Sequence, residues 1–165
     1  QSQVRCNMKQ GKVTFFKVVL YGIGVIILSL CLFALPPLAR HTTEIYPEYV
    51  NLQYPVLIGL YFTAIPFFFA LYQALQLLGY IENKDAFSES AVNALGIIKR
   101  CAGIISILYI VGMILLVTQN ALHPGIAIIG LVIFFTSIVI MLFTAVLQEL
   151  LINVLIIKSE NDLTI

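Results

Sequence analysis

Four apolar runs constrain this chain more than any other feature of its sequence, at about residues 13–39, 54–80, 97–118 and 125–147. A helix rises about 1.5 Å per residue, so about 20 apolar residues cross a hydrocarbon core about 30 Å thick. Each run meets that length. Hydrophobic residues make up 61% of the chain and charged residues only 10%. A soluble domain carries about 25% charged residues, so this chain lacks the means to clothe a water-facing surface. The pattern predicts an all-α, integral membrane four-helix bundle. A net charge of +1 offers no field for gathering DNA or RNA, which argues against direct nucleic acid binding.

Orientation follows from the placement of Lys and Arg. Arg5, Lys9, Lys12 and Lys17 precede or open the first run, Lys84, Lys99 and Arg100 follow the second, and Lys158 follows the fourth. The loop after the first run has only Arg40, beside Glu44 and Glu48, and the link 119–124 has no basic residue. Alternate loops therefore hold eight basic residues against one. The positive-inside rule then predicts an N-in/C-in protein of the cell membrane, with the lipid bilayer as its first partner. Residues 1–7 differ in character from the rest of the chain, and Met8-Lys9-Gln10-Gly11-Lys12 reads as a natural start, so 1–7 is expected to be a cloning remnant. The first run is too long for a signal peptide and ends in Pro36-Pro37, so it reads as a retained anchor.

Helix ends have local causes. Pro36-Pro37 lies near the outer end of the first helix, where lost backbone bonds cost least. Tyr46, Tyr49 and Tyr54 suit the outer interface, and His123-Pro124-Gly125 is a turn that makes the last two helices antiparallel. Pro66 should kink the second helix. Ser88 is a candidate N-cap, after which Ala91, Val92, Leu95 and Ile98 form an apolar stripe, while Glu89, Asn93 and Lys99 face elsewhere. This predicts a short interfacial helix running into the third span, with Phe87 as its apolar staple. From Gly125 to Ile157 a helix would be about 50 Å long. The fourth helix must then project into the cytosol or break near Gln148-Glu149. The expected layout is a membrane domain at 8–157, with helices at about 13–39, 54–80, 88–118 and 125–157, and a cytosolic tail at 158–165.

Chemistry is sparse. The midsections of the four runs carry no ionisable residue, and Lys17 can snorkel to the interface. Gln73 and Gln76 share a face near Pro66; they read as interhelical glue, or else as the lining of a polar cavity. Gly59/Thr63 and Ala102/Ser106 are small pairs four apart that permit close helix approach. His41 and His123, with Glu44 and Glu48, could hold zinc, but no spacing enforces it, and no metal or other cofactor is expected. Cys6, Cys31 and Cys101 form no CxxC pair, and Cys31 and Cys101 fall at opposite membrane faces. HExxH, GxSxG, the Walker lysine loop and GxGxxG are absent, so no catalytic residue is assigned.

Several stretches carry a resemblance. Phe16-Lys17-Val18-Val19-Leu20, Tyr54-Pro55-Val56-Leu57, Tyr61-Phe62-Thr63-Ala64-Ile65-Pro66-Phe67-Phe68 and Ala86-Phe87-Ser88 come first, then Ile97-Ile98-Lys99-Arg100-Cys101-Ala102 and the ending Lys158-Ser159-Glu160-Asn161-Asp162-Leu163-Thr164-Ile165. Together they resemble the bacterial membrane family catalogued as a domain of unknown function, DUF2975. The resemblance covers nearly all of the chain from Met8. It implies four transmembrane helices in Gram-positive bacteria and genes that often sit beside a small helix-turn-helix regulator. It implies no activity and no catalytic residues. Members often have acidic residues before the outer Pro-Gly, whereas this turn reads Ala121-Leu122-His123-Pro124-Gly125, which removes that support for an outer cation site.

Two functions stay open on these grounds. The first is a non-enzymatic regulatory or interaction protein whose cytosolic face, loop 81–100 with residues 148–165, holds a partner such as a helix-turn-helix regulator. Phe87, Ser88, Lys99, Arg100, Glu160 and Asp162 would line it, with Glu160 and Asp162 pairing with Lys99 and Arg100 to dock the tail. The second is a small-molecule or lipid binder or transporter using a cavity near Pro66, Gln73 and Gln76.

Overall fold

Apolar side chains in every register favour helix here, because a helix satisfies its own backbone N–H and C=O groups inside hydrocarbon. The computed structural model describes residues 2–83, 87–120 and 124–163. Among these it has α1 (Ser2–Ser29), a π-helical turn (Leu30–Ala34), α2 (Leu35–Ile45), a 3₁₀ turn (Pro47–Tyr49), α3 (Val50–Glu82), α4 (Glu89–Thr118) and α5 (Pro124–Leu163), with no strand. Four of these helical stretches are long and apolar enough to cross a membrane. The side chains of Cys6, Tyr49 and Tyr54 fall outside the described residues, as do Lys84, Asp85, Ala86, His123, Thr164 and Ile165.

The helices pack in chain order. α1 lies against α3, α3 against α4, and α4 against α5, while α1 and α5 share no comparable contact among the described residues. Burial records the same arrangement. Between Gln10 and Cys31 only Val13, Lys17, Leu20, Gly24, Ile27 and Cys31 are covered, at alternating steps of four and three. On α5 the seam runs through Ala127, Gly130, Phe134, Ser137, Met141, Thr144, Gln148, Leu151 and Leu155 in the same rhythm. A period of 3.5 is the spacing of left-handed knobs-into-holes packing. Each outer helix shows one such stripe, whereas α3 and α4 are covered on two sides. The bundle is therefore a row with two open edges, both chain ends lying on one side, called here the terminal face.

Small residues set the approach. A Cβ on Gly24 would stand 2.8 Å from Leu71 Cδ2, and one on Gly130 would stand 3.0 Å from Met113 Sδ. Ala102 and Ser106 are buried in the helix row as their spacing predicts. Gly59 is exposed with open space beside it among the described residues, while Thr63 is part-buried and its Oγ1 donates to Leu60 O of its own helix at 2.7 Å. Buried hydroxyls answer to their own helices: Ser106 Oγ donates to Ala102 O at 2.9 Å and Thr144 Oγ1 to Ile140 O at 2.6 Å.

Two expected ends differ. The first helix does not stop at Pro36-Pro37, because α2 continues to Ile45. The π-helical turn absorbs the change: Leu35 N–H reaches back five residues to Leu30 O. The next donor in that register would be residue 36, a proline without an N–H. The orphaned Cys31 carbonyl instead accepts from the Tyr61 hydroxyl on α3 at 2.6 Å. The fourth helix neither breaks at Gln148-Glu149 nor ends at Ile157, but runs unbroken to Leu163. α3 likewise stays helical through Pro55 and Pro66.

Candidate functional site

The terminal face is built by the base of α4 and the ends of α1, α3 and α5. Ser88 sits in extended geometry (φ −137°, ψ 161°), and its side chain accepts from Ala91 N–H at 3.3 Å. An N-terminal donor with no partner in its own helix is thereby satisfied. The stripe beginning at Ala91 is the most buried among the described residues, with Ala91 at 0% exposure and Ala94 and Leu95 buried beside it. As expected, this segment is continuous with the third span and forms the first turns of α4, but it packs on protein. Phe87 is 57% exposed and does not staple it, because the neighbouring small residues already close the seam.

Lys99 departs from its expected position. It is half-buried, and its Nζ donates to Gln148 Oε1 at 3.0 Å. Gln148 Nε2 donates in turn to Val92 O at 3.2 Å. The amide fits only because residue 96 is glycine, where a Cβ would lie 2.8 Å from Gln148 Nε2. Gln148 thus ties α5 to α4 with both of its polar atoms. The sequence signal was a lone glutamine opposite a lone glycine, and nothing in either position alone marks the pair. Across the same face Lys17 of α1 forms an ion pair with Glu82 of α3. An exposed pair of this kind contributes about 0–1 kcal/mol.

The expected pairing of Glu160 and Asp162 with Lys99 and Arg100 is not formed. Gln148 is the partner of Lys99, and Glu160 lies twelve residues farther along the same straight helix, about 18 Å away. Arg100 is exposed on α4. Leu151 and Leu155 are half-covered along the α4 seam, whereas Leu150, Ile156 and Ile157 are more than half exposed.

Residues proposed for a cavity are separated from one another in chemistry. Gln73 is 8% exposed, and Gln76 Nε2 donates to Tyr72 Oη of its own helix at 3.0 Å. Pro66 is half-buried on α3. Two shallow, open depressions lie elsewhere, one against Leu32, Phe33, Pro36, Pro37, Arg40, His41 and Glu44, the other beside Gly11, Lys12, Phe15 and Phe16. Among the described residues no three His, Cys, Asp or Glu side chains stand close enough to share a metal ion.

With this geometry established, known proteins give the chain a kinship. Residues 37–165 match the family model described as "Protein of unknown function (DUF2975)". The chain belongs to the DUF2975 family. A relative from Bacillus subtilis (strain 168), the "Uncharacterized membrane protein YoaS", is 49% identical over 160 residues, which is 96% of this chain and 100% of the relative. No solved structure matches. The DUF2975 match begins at Pro37 and takes in α3, α4 and α5 entire, so the Ser88 cap, the Gly96–Gln148 tie and the long α5 all fall within it.

Proposed function

We propose that this DUF2975 membrane protein is a non-enzymatic interaction protein, with both termini in the cytosol, that holds a soluble partner at its terminal face. One observation carries the reading. α5 continues as an unbroken helix of 40 residues, about 60 Å, while the hydrocarbon core takes up only about 30 Å. The excess ends in a polar helical turn preceded by exposed Ile156 and Ile157. Burying such side chains is worth about 1.5–3 kcal/mol each, so a complementary surface gains by covering them. The partner residues are Phe87, Arg100, Glu160 and Asp162 at the surface, with Ser88 and Lys99 fixing the scaffold beneath. A small cytosolic helix-turn-helix regulator is the partner class that this face is proposed to hold.

The transport reading has less support. The Gln73 amide is enclosed, and Gln76 Nε2 donates to Tyr72 Oη on its own helix. Deleting residues 158–165 tests the proposal. Pull-down of the tagged full chain from native membranes should recover a soluble partner, and the truncated chain should not, although it still inserts and stays helical. Equal recovery by both chains would overturn the reading.

A further inference from the structure

The depression over the π-helical turn and α2 straddles the end of an apolar span. Leu32, Phe33, Pro36 and Pro37 line its lower part and belong to the span Gln10–Pro37, whereas Arg40, His41 and Glu44 line its upper part just beyond that span. Its place in the fold is the end opposite the terminal face. Cys31 O is level with the Tyr61 hydroxyl, and Arg40, nine residues farther on, stands about 14 Å higher, level with the first turn of α3. The connection 46–49 is short and keeps the ends of α2 and α3 together. An apolar floor thus lies where the hydrocarbon ends, and a charged rim lies where headgroups begin.

The floor faces lipid. Phe33 is 76% exposed and Leu32 57%, on the edge helix of the row. Pro36 and Pro37 carry short rings between longer side chains, so the surface drops between them. The volume is about 490 Å³, within the roughly 300–1,000 Å³ of sites that take small ligands. Phe33, Pro37, Arg40 and Glu44 follow one another at steps of four, three and four, which puts them on one helical face. Read outward from the bilayer, that face runs apolar, then cationic at Arg40, then anionic at Glu44. A phospholipid that ends in an amine runs apolar, then anionic at its phosphate, then cationic at its ammonium. The two orders are complementary at every step.

From this order we infer that the depression binds a phospholipid whose headgroup carries both a phosphate and a primary ammonium, the phosphatidylethanolamine class. The Arg40 guanidinium donates to the phosphate, a pairing that its planar fork suits. It has five N–H donors, so a partner within its own chain leaves donors for the phosphate. His41 adds a ring nitrogen beside it, and the Glu44 carboxylate accepts from the ammonium. The carbons next to the headgroup lie along Leu32 and Phe33. A headgroup with a phosphate and no amine is the poorer occupant, because residues 38–54 carry one basic residue, Arg40, against Glu44 and Glu48. The depression beside Lys12 has a cation and no acid, so it lacks the second half of this match. The inference does not rest on the partner-holding reading, which concerns the other end of the bundle.

Lipid quenching of a single indole tests it. The chain has no Trp, so Phe33→Trp places the sole indole in the depression. The full chain is reconstituted in vesicles of equal parts phosphatidylethanolamine and phosphatidylglycerol, with bromine on the acyl chains of one lipid or of the other. The bilayer is then the same and only the label moves. Quenching should show phosphatidylethanolamine enriched about threefold beside the indole, the scale of one exposed charge pair. Glu44→Gln should remove that preference and Glu44→Asp should keep part of it, while Arg40→Gln should lower it, with helical content by circular dichroism unchanged. A Phe16→Trp reporter in the other depression should show no enrichment of phosphatidylethanolamine. Equal quenching by the two lipids, enrichment of phosphatidylglycerol, the same preference at Phe16→Trp, or a preference that survives Glu44→Gln overturns the inference. Loss of the preference on adding soluble O-phosphoethanolamine at the lipid's own concentration would assign the site to a free headgroup and overturn the lipid reading.

Discussion

Tyr61 and Ser88 show how single side chains repair what the backbone cannot. Pro36 removes the donor that Cys31 O would have used, and the Tyr61 hydroxyl replaces it from the neighbouring helix at 2.6 Å. Tyr61→Phe keeps the ring and removes only the donor. It should cost about 1 kcal/mol, the scale of a hydrogen bond between membrane helices, read as a lower unfolding midpoint in a detergent titration. Ser88→Ala should also cost about 1 kcal/mol, the usual effect of a lost cap, and Ser88→Asp should keep most of the stability because a carboxylate also accepts from Ala91 N–H. Equal midpoints for Ser88→Ala and the parent would show that the cap is dispensable.

At the scale of elements, the α4 seams are made of small side chains whose polar atoms need no partner across the interface. Ser106 is buried yet bonds to Ala102 O of its own helix. Its volume should therefore matter more than its hydroxyl. Ser106→Ala should change stability by less than about 1 kcal/mol, while Ser106→Leu overpacks the seam and should cost about 1–3 kcal/mol. Both are read from the same detergent titration, and a larger loss for Ala than for Leu would contradict the assignment. The seam rhythm on α1 and α5 was present in the sequence but hidden, because lipid-facing positions are as apolar as packed ones. Gly24, Gly96 and Gly130 were the usable signals, whereas Gly59, with open space beside it among the described residues, shows that a glycine alone does not mark a close approach.

For the whole molecule, four spans place both chain ends on one side, and the eight-to-one distribution of basic residues proposes which side that is. Impermeant thiol labelling in intact cells checks it, on single cysteines introduced in place of Asp162 and Glu44 with the native cysteines removed. Label at 44 and none at 162 is expected, and the reverse pattern would turn the topology over. Length, apolar content and charge placement determined by themselves that this is an all-α membrane protein with four spans, and local chemistry determined the start of α4 at Ser88. These are properties of short windows, in which burial in lipid and backbone satisfaction leave one solution. Which helices touch, how far α2 and α5 continue, why Phe87 stays exposed and why Lys99 meets Gln148 instead of Glu160 were decided only by the tertiary structure. Each depends on a contact between residues distant in sequence, and in a chain this uniformly apolar the pattern does not say which apolar face meets protein and which meets lipid.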